Sequence, residues 1–247
     1  MKALLMAAGK GTRISRYIEG KPKCTVDIGE IPLIEYTIQE LMKRGVTEIA
    51  LVLGYHADDI KEILGKYDIK YYYNYFYDVT NSIASLWFAQ DFVDDDMIFM
   101  NADVYLEPAL LDEVFKMQES PVLVSDSSRK EQADYKFYYE DGQLIKFGKQ
   151  LEGDDISGEY VGVARVRKDF LPVMMERLQE LIEKGEHHRW WEDVLYSFVG
   201  EQPIKVRDID GMFWAEVDYV DDYERILQSR GYEINYNVSI RKTMQVI

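Results

Sequence analysis

The sequence predicts a three-layer α/β fold: a central, mostly parallel mixed sheet covered by helices on both faces, with a small β-rich lid. Three observations carry this. Strand-like and helix-like stretches alternate through the first half of the chain, the signature of helix-linked strands. The rhythm changes after residue 125 to shorter strands, two of them flanking the hairpin turn Asp141-Gly142. The chain also opens on a buried-strand pattern that runs straight into a glycine-bearing loop.

Residues 2–6 are a short apolar run that breaks before Gly9 and read as a strand. Residues 32–44 are apolar at Leu33, Ile34, Ile38, Leu41 and Met42, one helical stripe, with Pro32 at the first turn and Gly45 beyond the last. Residues 48–53 form a buried strand, 58–67 a short helix, 69–73 a strand and 82–92 a helix. Residues 97–100 form a strand that ends in Asn101-Ala102-Asp103. Residues 108–118 are a helix and 121–125 a strand. In the second half, 134–139 and 143–147 make the hairpin and 158–166 another strand. Residues 169–183 are a long helix and 191–199 a shorter one. Residues 204–209 and 213–217 are strands, and 219–228 a closing helix. No linker or internal repeat interrupts this order, so residues 1–230 read as one domain. Residues 231–247 show no periodicity and are expected to dock on the body, pair with another subunit or fray.

Composition removes several function classes. The 247 residues are 47% hydrophobic and 30% charged, as in soluble globular proteins. A net charge of −16 argues against nonspecific binding to nucleic acid or to an anionic membrane, both of which need a cationic face. No apolar run is long enough to span a bilayer, and the N-terminal run is too short for a secretory signal. Cys24 is the single cysteine, so no intrachain disulfide forms, which fits a reducing cytoplasm. The three histidines, His56, His187 and His188, have no cysteine cluster beside them and suggest no soft-metal site. His187 and His188 read as a solvated loop. The oligomeric state stays open between monomer and homodimer.

The first loop carries anion chemistry. Gly9 and Gly11 let backbone N–H groups approach a phosphate because no Cβ intervenes. Arg13 adds a fork of donors, and Lys10 and Lys23 add point charges. The spacing is not that of a P-loop, and a dinucleotide fingerprint would need a third glycine. The string Ala7-Ala8-Gly9-Lys10-Gly11-Thr12-Arg13, followed by Pro22-Lys23, resembles the signature of the nucleotidyltransferases with a three-layer Rossmann-like (GT-A-like) fold.

That resemblance implies a division of labour: residues 1–125 form a nucleotide-binding half, and 126–230 an acceptor-binding half with the lid. The loop from Ala8 through Thr12 to Arg13 would carry a nucleoside triphosphate, with Lys10 and Arg13 on its β,γ-phosphates and Lys23 at the α-phosphate. Asp103 matches the family's metal-binding aspartate, and its alternative is a turn or helix-entry carboxylate. Asp218, in Trp214-Ala215-Glu216-Val217-Asp218, resembles the second metal ligand, and its alternative is the N-cap of the following helix. Glu216 shares a strand face with Asp218. Two carboxylates with phosphate oxygens suit Mg²⁺. An incoming phosphate, with a second pKa near ~6, is already ionised at neutral pH and needs no general base.

Within the superfamily the chain resembles the bacterial phosphocholine cytidylyltransferase branch. The segments that carry this are 81–87, 158–162, 190–194 and 213–218. The branch uses CTP, with base contacts from the Ala7-Ala8 backbone and from Asn81, Ser82 and Ser85; helix capping is the alternative for Asn81 and Ser82. The second substrate would be a small phospho-alcohol or phosphonate, its phosphate met by Lys149. Tyr160, Trp190, Trp191 and Trp214, with Glu192, Asp193 or Glu216, are either an aromatic and acidic box for a cationic headgroup or core. For a primary ammonium the carboxylates would matter more than the rings. At Ile14-Ser15-Arg16 the chain departs from the Leu-x-Pro of many relatives, and Arg16 is a further candidate anion contact. The competing functions are a sugar-1-phosphate nucleotidyltransferase using UTP, dTTP or GTP, and a catalytically silent nucleotide-binding regulator.

Overall fold

The computed structural model describes every residue except 12, 15, 16 and 234–247. The expectations for Thr12, Ser15 and Arg16, and for nearly all of the tail, lie outside the described residues. Strand β1 (Lys2–Ala7) is buried throughout. It pairs in parallel with β2 (Glu48–Leu53) on one side and β4 (Met97–Asn101) on the other, with Leu4 opposite both Ala50 and Phe99. β3 (Ile69–Tyr73) continues the parallel edge beyond β2.

Alternation along β1 divides the core. Ala3, Leu5 and Ala7 face one layer with α1 (Leu33–Lys43), α2 (Ala57–Leu64) and α4 (Pro108–Lys116). Leu4 and Met6 face the other with α3 (Ser82–Phe88) and α5 (Leu171–Glu183). The apolar stripe of α1 explains its docking: Leu33, Ile34, Ile38 and Leu41 are all fully buried.

The sheet has nine strands in the order β3-β2-β1-β4-β9-β6-β10-β8-β7. β9 (Gly158–Val166) runs antiparallel between β4 and β6 (Val122–Asp126). β10 (Lys205–Asp208) is parallel to β6. β7 (Lys136–Glu140) and β8 (Gln143–Phe147) form the expected hairpin, whose turn residues Asp141 and Gly142 have φ of 49° and 67°. The sheet is mixed, with its parallel run confined to β1–β4 and to the β6–β10 pair. The second half differs because β9 enters antiparallel between β4 and β6 and because β7 and β8 are joined as a hairpin.

One element is not marked in the sequence. β5 (Val104–Leu106) pairs antiparallel with β11 (Trp214–Glu216) in a separate two-stranded ladder. The Val217 N–H donates to the Asp103 carbonyl at 3.0 Å, one step beyond this ladder. Two segments more than a hundred positions apart are thereby locked side by side. Helix α6 (Asp193–Tyr196) is shorter than its expected span of 191–199, and α7 (Val220–Ser229) closes the described fold.

Candidate active site

Lys23 stands in a short turn after the glycine loop, and its side chain runs beneath Gly11. A Cβ on Gly11 would sit 2.5 to 2.8 Å from three carbons of that side chain, and Gly11 has φ of +57°. Glycine is therefore required twice, by the backbone and by the lysine stem. A Gly11→Ala variant is expected to displace Lys23 and cut kcat by about tenfold or more while lowering the melting temperature by only a few degrees, the cost of one strained residue. Steady-state kinetics beside a thermal melt checks this.

The Lys23 ammonium lies 3.4 Å from Asp103 Oδ2 and donates to Asp218 Oδ1. Arg13 donates from Nη1 to Asp218 Oδ2. Burial works against the Lys23 charge, but Asp103, Asp218 and Glu216 outweigh it and raise its pKa. Burial likewise opposes ionisation of Asp218, and Lys23 and Arg13 reverse this and hold the carboxyl low. Glu216 is pushed well above the usual carboxylate range, first by burial and then by Asp103 and Asp218. The N-cap of α7 is Tyr219, whose N–H donates to Asp222 Oδ2 at 3.0 Å. Asp218 is thus not spent on capping.

Two cavities meet at this cluster, of about 340 and 430 Å³. Ala7, Ala8, Gly9 and Gly11 line the first, together with Asn81, Ser82 and Ser85 across from them. Lys10 and Arg13 line the second. So do Lys149, Tyr160, Trp190, Glu192 and Glu216. Lys23, Asn101, Trp190 and Glu216 border both. Asn81 caps α3, its Oδ1 accepting from the Ser82 N–H at 2.8 Å, and Ser82 Oγ accepts from the Trp191 N–H at 2.9 Å. The carbonyls of His187 and His188 hold Asn81 in turn.

Two tryptophans differ from the sequence expectation. Trp191 and Trp214 line neither cavity. Trp191 is fully buried, stacks on Phe99 and donates from Nε1 to Asn101 Oδ1 at 2.8 Å. Trp214 is buried with its Nε1 donating to Asp126 Oδ2 at 2.9 Å. An indole whose N–H finds a partner can be enclosed completely. Only Trp190, 41% exposed, presents an indole to the cavities. Trp191→Ala is expected to lose about 3–5 kcal/mol of folding stability, read by chemical denaturation, rather than acceptor affinity alone.

Several lining residues carried no sequence assignment. Asn74 Nδ2 donates to Thr80 Oγ1 and Ser85 Oγ, both at 3.1 Å, and so shapes the floor of the first cavity. Asn101 accepts from Trp191 and donates to Glu192 Oε1 at 3.4 Å. Its adjacency to Asp103 was the available signal. Tyr135 and Tyr196, stacked with ring centroids 5.5 Å apart, wall the second cavity. Lys149 pairs with Asp134 Oδ2 at 2.7 Å and lies 5.5 Å from the Trp190 ring centroid. Burial pushes the Glu192 carboxyl up to about 8, and the nearby Asp193 and Asp103 add to the rise.

The site sets one ammonium between two carboxylates, with Lys10, Arg13 and Lys149 on the wall of the second cavity. Among the described residues no set of three or more His, Cys, Asp or Glu side chains forms a complete metal cage. Two carboxylates meeting one ammonium are instead the donor set of a hard cation that takes its remaining ligands from water and phosphate.

The MobA-like NTP transferase domain model matches residues 3–190. The CTP:phosphoglutamine cytidylyltransferase of Campylobacter jejuni is 28% identical over 91% of this chain and 98% of its own. The choline-phosphate cytidylyltransferase of Streptococcus pneumoniae is 25% identical over 92% of this chain and 96% of its own. In fold, the solved CTP:phosphocholine cytidylyltransferase of Streptococcus pneumoniae superposes with a TM-score of 0.77 at 22% identity, covering 93% of this chain and 98% of that one.

Proposed function

The chain belongs to the MobA-like NTP transferase domain family and is a nucleotidyltransferase, and from that premise we propose that it moves CMP from CTP to a small phospho-alcohol or phosphonate in the presence of Mg²⁺, releasing pyrophosphate. The observation that carries the reading is the position of Lys23, on the border of both cavities and between Asp103 and Asp218. The α-phosphorus of a nucleotide in the first cavity and the phosphate of an acceptor in the second would meet at that border. The names of the relatives favour CTP and a phosphorylated acceptor.

In this mechanism the backbone of Ala8, Gly9 and Gly11 receives the triphosphate, and Arg13 and Lys10 balance the charge of the leaving pyrophosphate. Lys23 holds the acceptor oxygen and the α-phosphate against each other, which positions an in-line attack. Asp103 and Asp218 would hold Mg²⁺, which when bound supplies charge neutralisation at the phosphates. Glu192, Glu216 and the rings of the second cavity orient the far end of the acceptor. Lys149 would release Asp134 and turn to the acceptor phosphate.

Pyrophosphate release tests the reading, with CTP, UTP, GTP and ATP each offered to phosphocholine, 2-aminoethylphosphonate, glycerol phosphate and glucose-1-phosphate. Turnover is expected with CTP and one of the first three acceptors. Turnover with the sugar phosphate alone, or with no pair, overturns the reading. A pH profile adds a check. For a cationic acceptor kcat/KM is expected to rise with pH through about 8, as Glu192 loses its proton. The Glu192→Gln variant is expected to lose that rise.

A further inference from the structure

The second cavity contains a set of polar atoms that the transfer reaction does not explain. Glu192 Oε2, Tyr160 Oη and Tyr196 Oη are all buried and have no hydrogen-bond partner among the described residues. Each belongs to a side chain on the wall of this cavity. The two tyrosine rings lie edge to face with centroids 6.3 Å apart, and both phenols sense the Glu192 charge. Buried polar atoms are nearly always satisfied, so three orphans on one wall need an explanation.

Resting on the transferase reading above, we propose that the far end of the acceptor is an ammonium that carries N–H bonds, a primary amine rather than a trimethylated one. A primary ammonium offers three donors and no acceptors, and the side chains of the wall carry three oxygens that can accept, Glu192 as its carboxylate, once they turn from their buried positions toward the cavity. A carboxyl on the wall can supply the counter-charge: Glu192 lines the cavity and, neutral while the cavity is empty, ionises beside an entering ammonium, whereas Glu159 is already paired with Arg129 at 2.7 Å. The faces of Tyr135 and Trp190 attract either kind of cation and do not discriminate. A trimethylammonium presents only methyl groups and would leave all three oxygens dry and unpaired, which is the asymmetry that makes a polar site reject an analogue lacking its donors.

Phosphoethanolamine and phosphocholine differ only in the three N-methyl groups. Each is titrated calorimetrically into the full chain with Mg²⁺ and a non-hydrolysable CTP analogue. Phosphoethanolamine is expected to bind at least about tenfold tighter, the scale of discrimination a few buried hydrogen bonds provide. Tyr160→Phe and Tyr196→Phe, which keep ring and volume, are expected to weaken phosphoethanolamine by about fivefold each and to leave phosphocholine within about twofold. Equal or tighter binding of phosphocholine, failure of both to bind, or equal loss for both ligands in the phenylalanine variants overturns the inference. Product formation measured in parallel separates the two layers. CMP transfer to phosphocholine in preference to the amine removes the headgroup inference and leaves the transferase reading standing. No CTP consumed with any phosphorylated acceptor removes the transferase reading itself.

Discussion

Replacing Asp103 or Asp218 with asparagine is expected to lower CMP transfer by about 10³-fold or more while the fold persists. The magnitude follows from what the carboxylates are asked to do. Holding a divalent cation against transferring phosphates contributes several kcal/mol of charge stabilisation, and about 4 kcal/mol corresponds to three decades in rate. Asparagine keeps the shape and removes the charge. The two variants differ in their effect on stability. Asp103 has a longer contact, 3.4 Å to Lys23, so its loss is expected to shift folding stability by about 1 kcal/mol or less. Asp218 accepts from both Lys23 and Arg13 and is only 17% exposed, so its loss leaves two cations short of a partner and is expected to cost about 1–3 kcal/mol. Rates above about a tenth of the parent value in either variant, at saturating Mg²⁺ and CTP, would remove the proposed metal role of that residue.

The parts of this molecule that are legible in the sequence are those whose physics is local. The buried run before Gly9, the stripe of α1 and the Asp141-Gly142 hairpin each follow from spacing or from a residue's own backbone preference. Ala7, Ala8, Gly9 and Gly11 come together in one cavity because they are contiguous. Asp103 and Asp218 became candidates through a resemblance, since nothing local to either says that they meet. Their proximity is produced by the β5–β11 ladder, and β5 is three residues long, too short to leave a periodic signal. The tryptophans show the opposite limit. Trp190 and Trp191 are neighbours in the chain, and their fates differ because Asn101, some ninety positions earlier, takes the Trp191 indole N–H. The direction of β9 is similarly non-local, since it is set by where the strand inserts, between β4 and β6. The three unpaired oxygens of the second cavity belong to residues spaced irregularly along the chain, and only the fold puts them on one wall.

Lys23→Met is expected to abolish transfer as completely as loss of either aspartate, and to do so while cation binding improves. In the structure the Lys23 ammonium contacts both Asp103 and Asp218, the pair that would hold the proposed cation. If the proposed metal role holds, lysine and divalent ion would compete for the same pair of carboxylates. Removing the ammonium leaves Asp103, Glu216 and Asp218 facing one another without their common partner, a set that repels internally and attracts a cation. Mn²⁺, titrated calorimetrically without nucleotide, is expected to bind the methionine variant at least about threefold tighter than the parent, the scale set by removing one competing charge at a half-screened site. Turnover is expected to fall about 10³-fold, because among the described residues no other Lys or Arg side chain lines both cavities to hold the attacking and receiving phosphates together. Lys23→Arg is not expected to restore it, since a planar guanidinium does not reproduce the point charge of the ammonium between Asp103 and Asp218. Tighter metal with lost turnover separates the lysine's part in the reaction from a merely structural ion pair. Unchanged Mn²⁺ affinity would mean that the ammonium does not share the carboxylates with the metal, and turnover within about tenfold of the parent would place the reacting phosphates elsewhere.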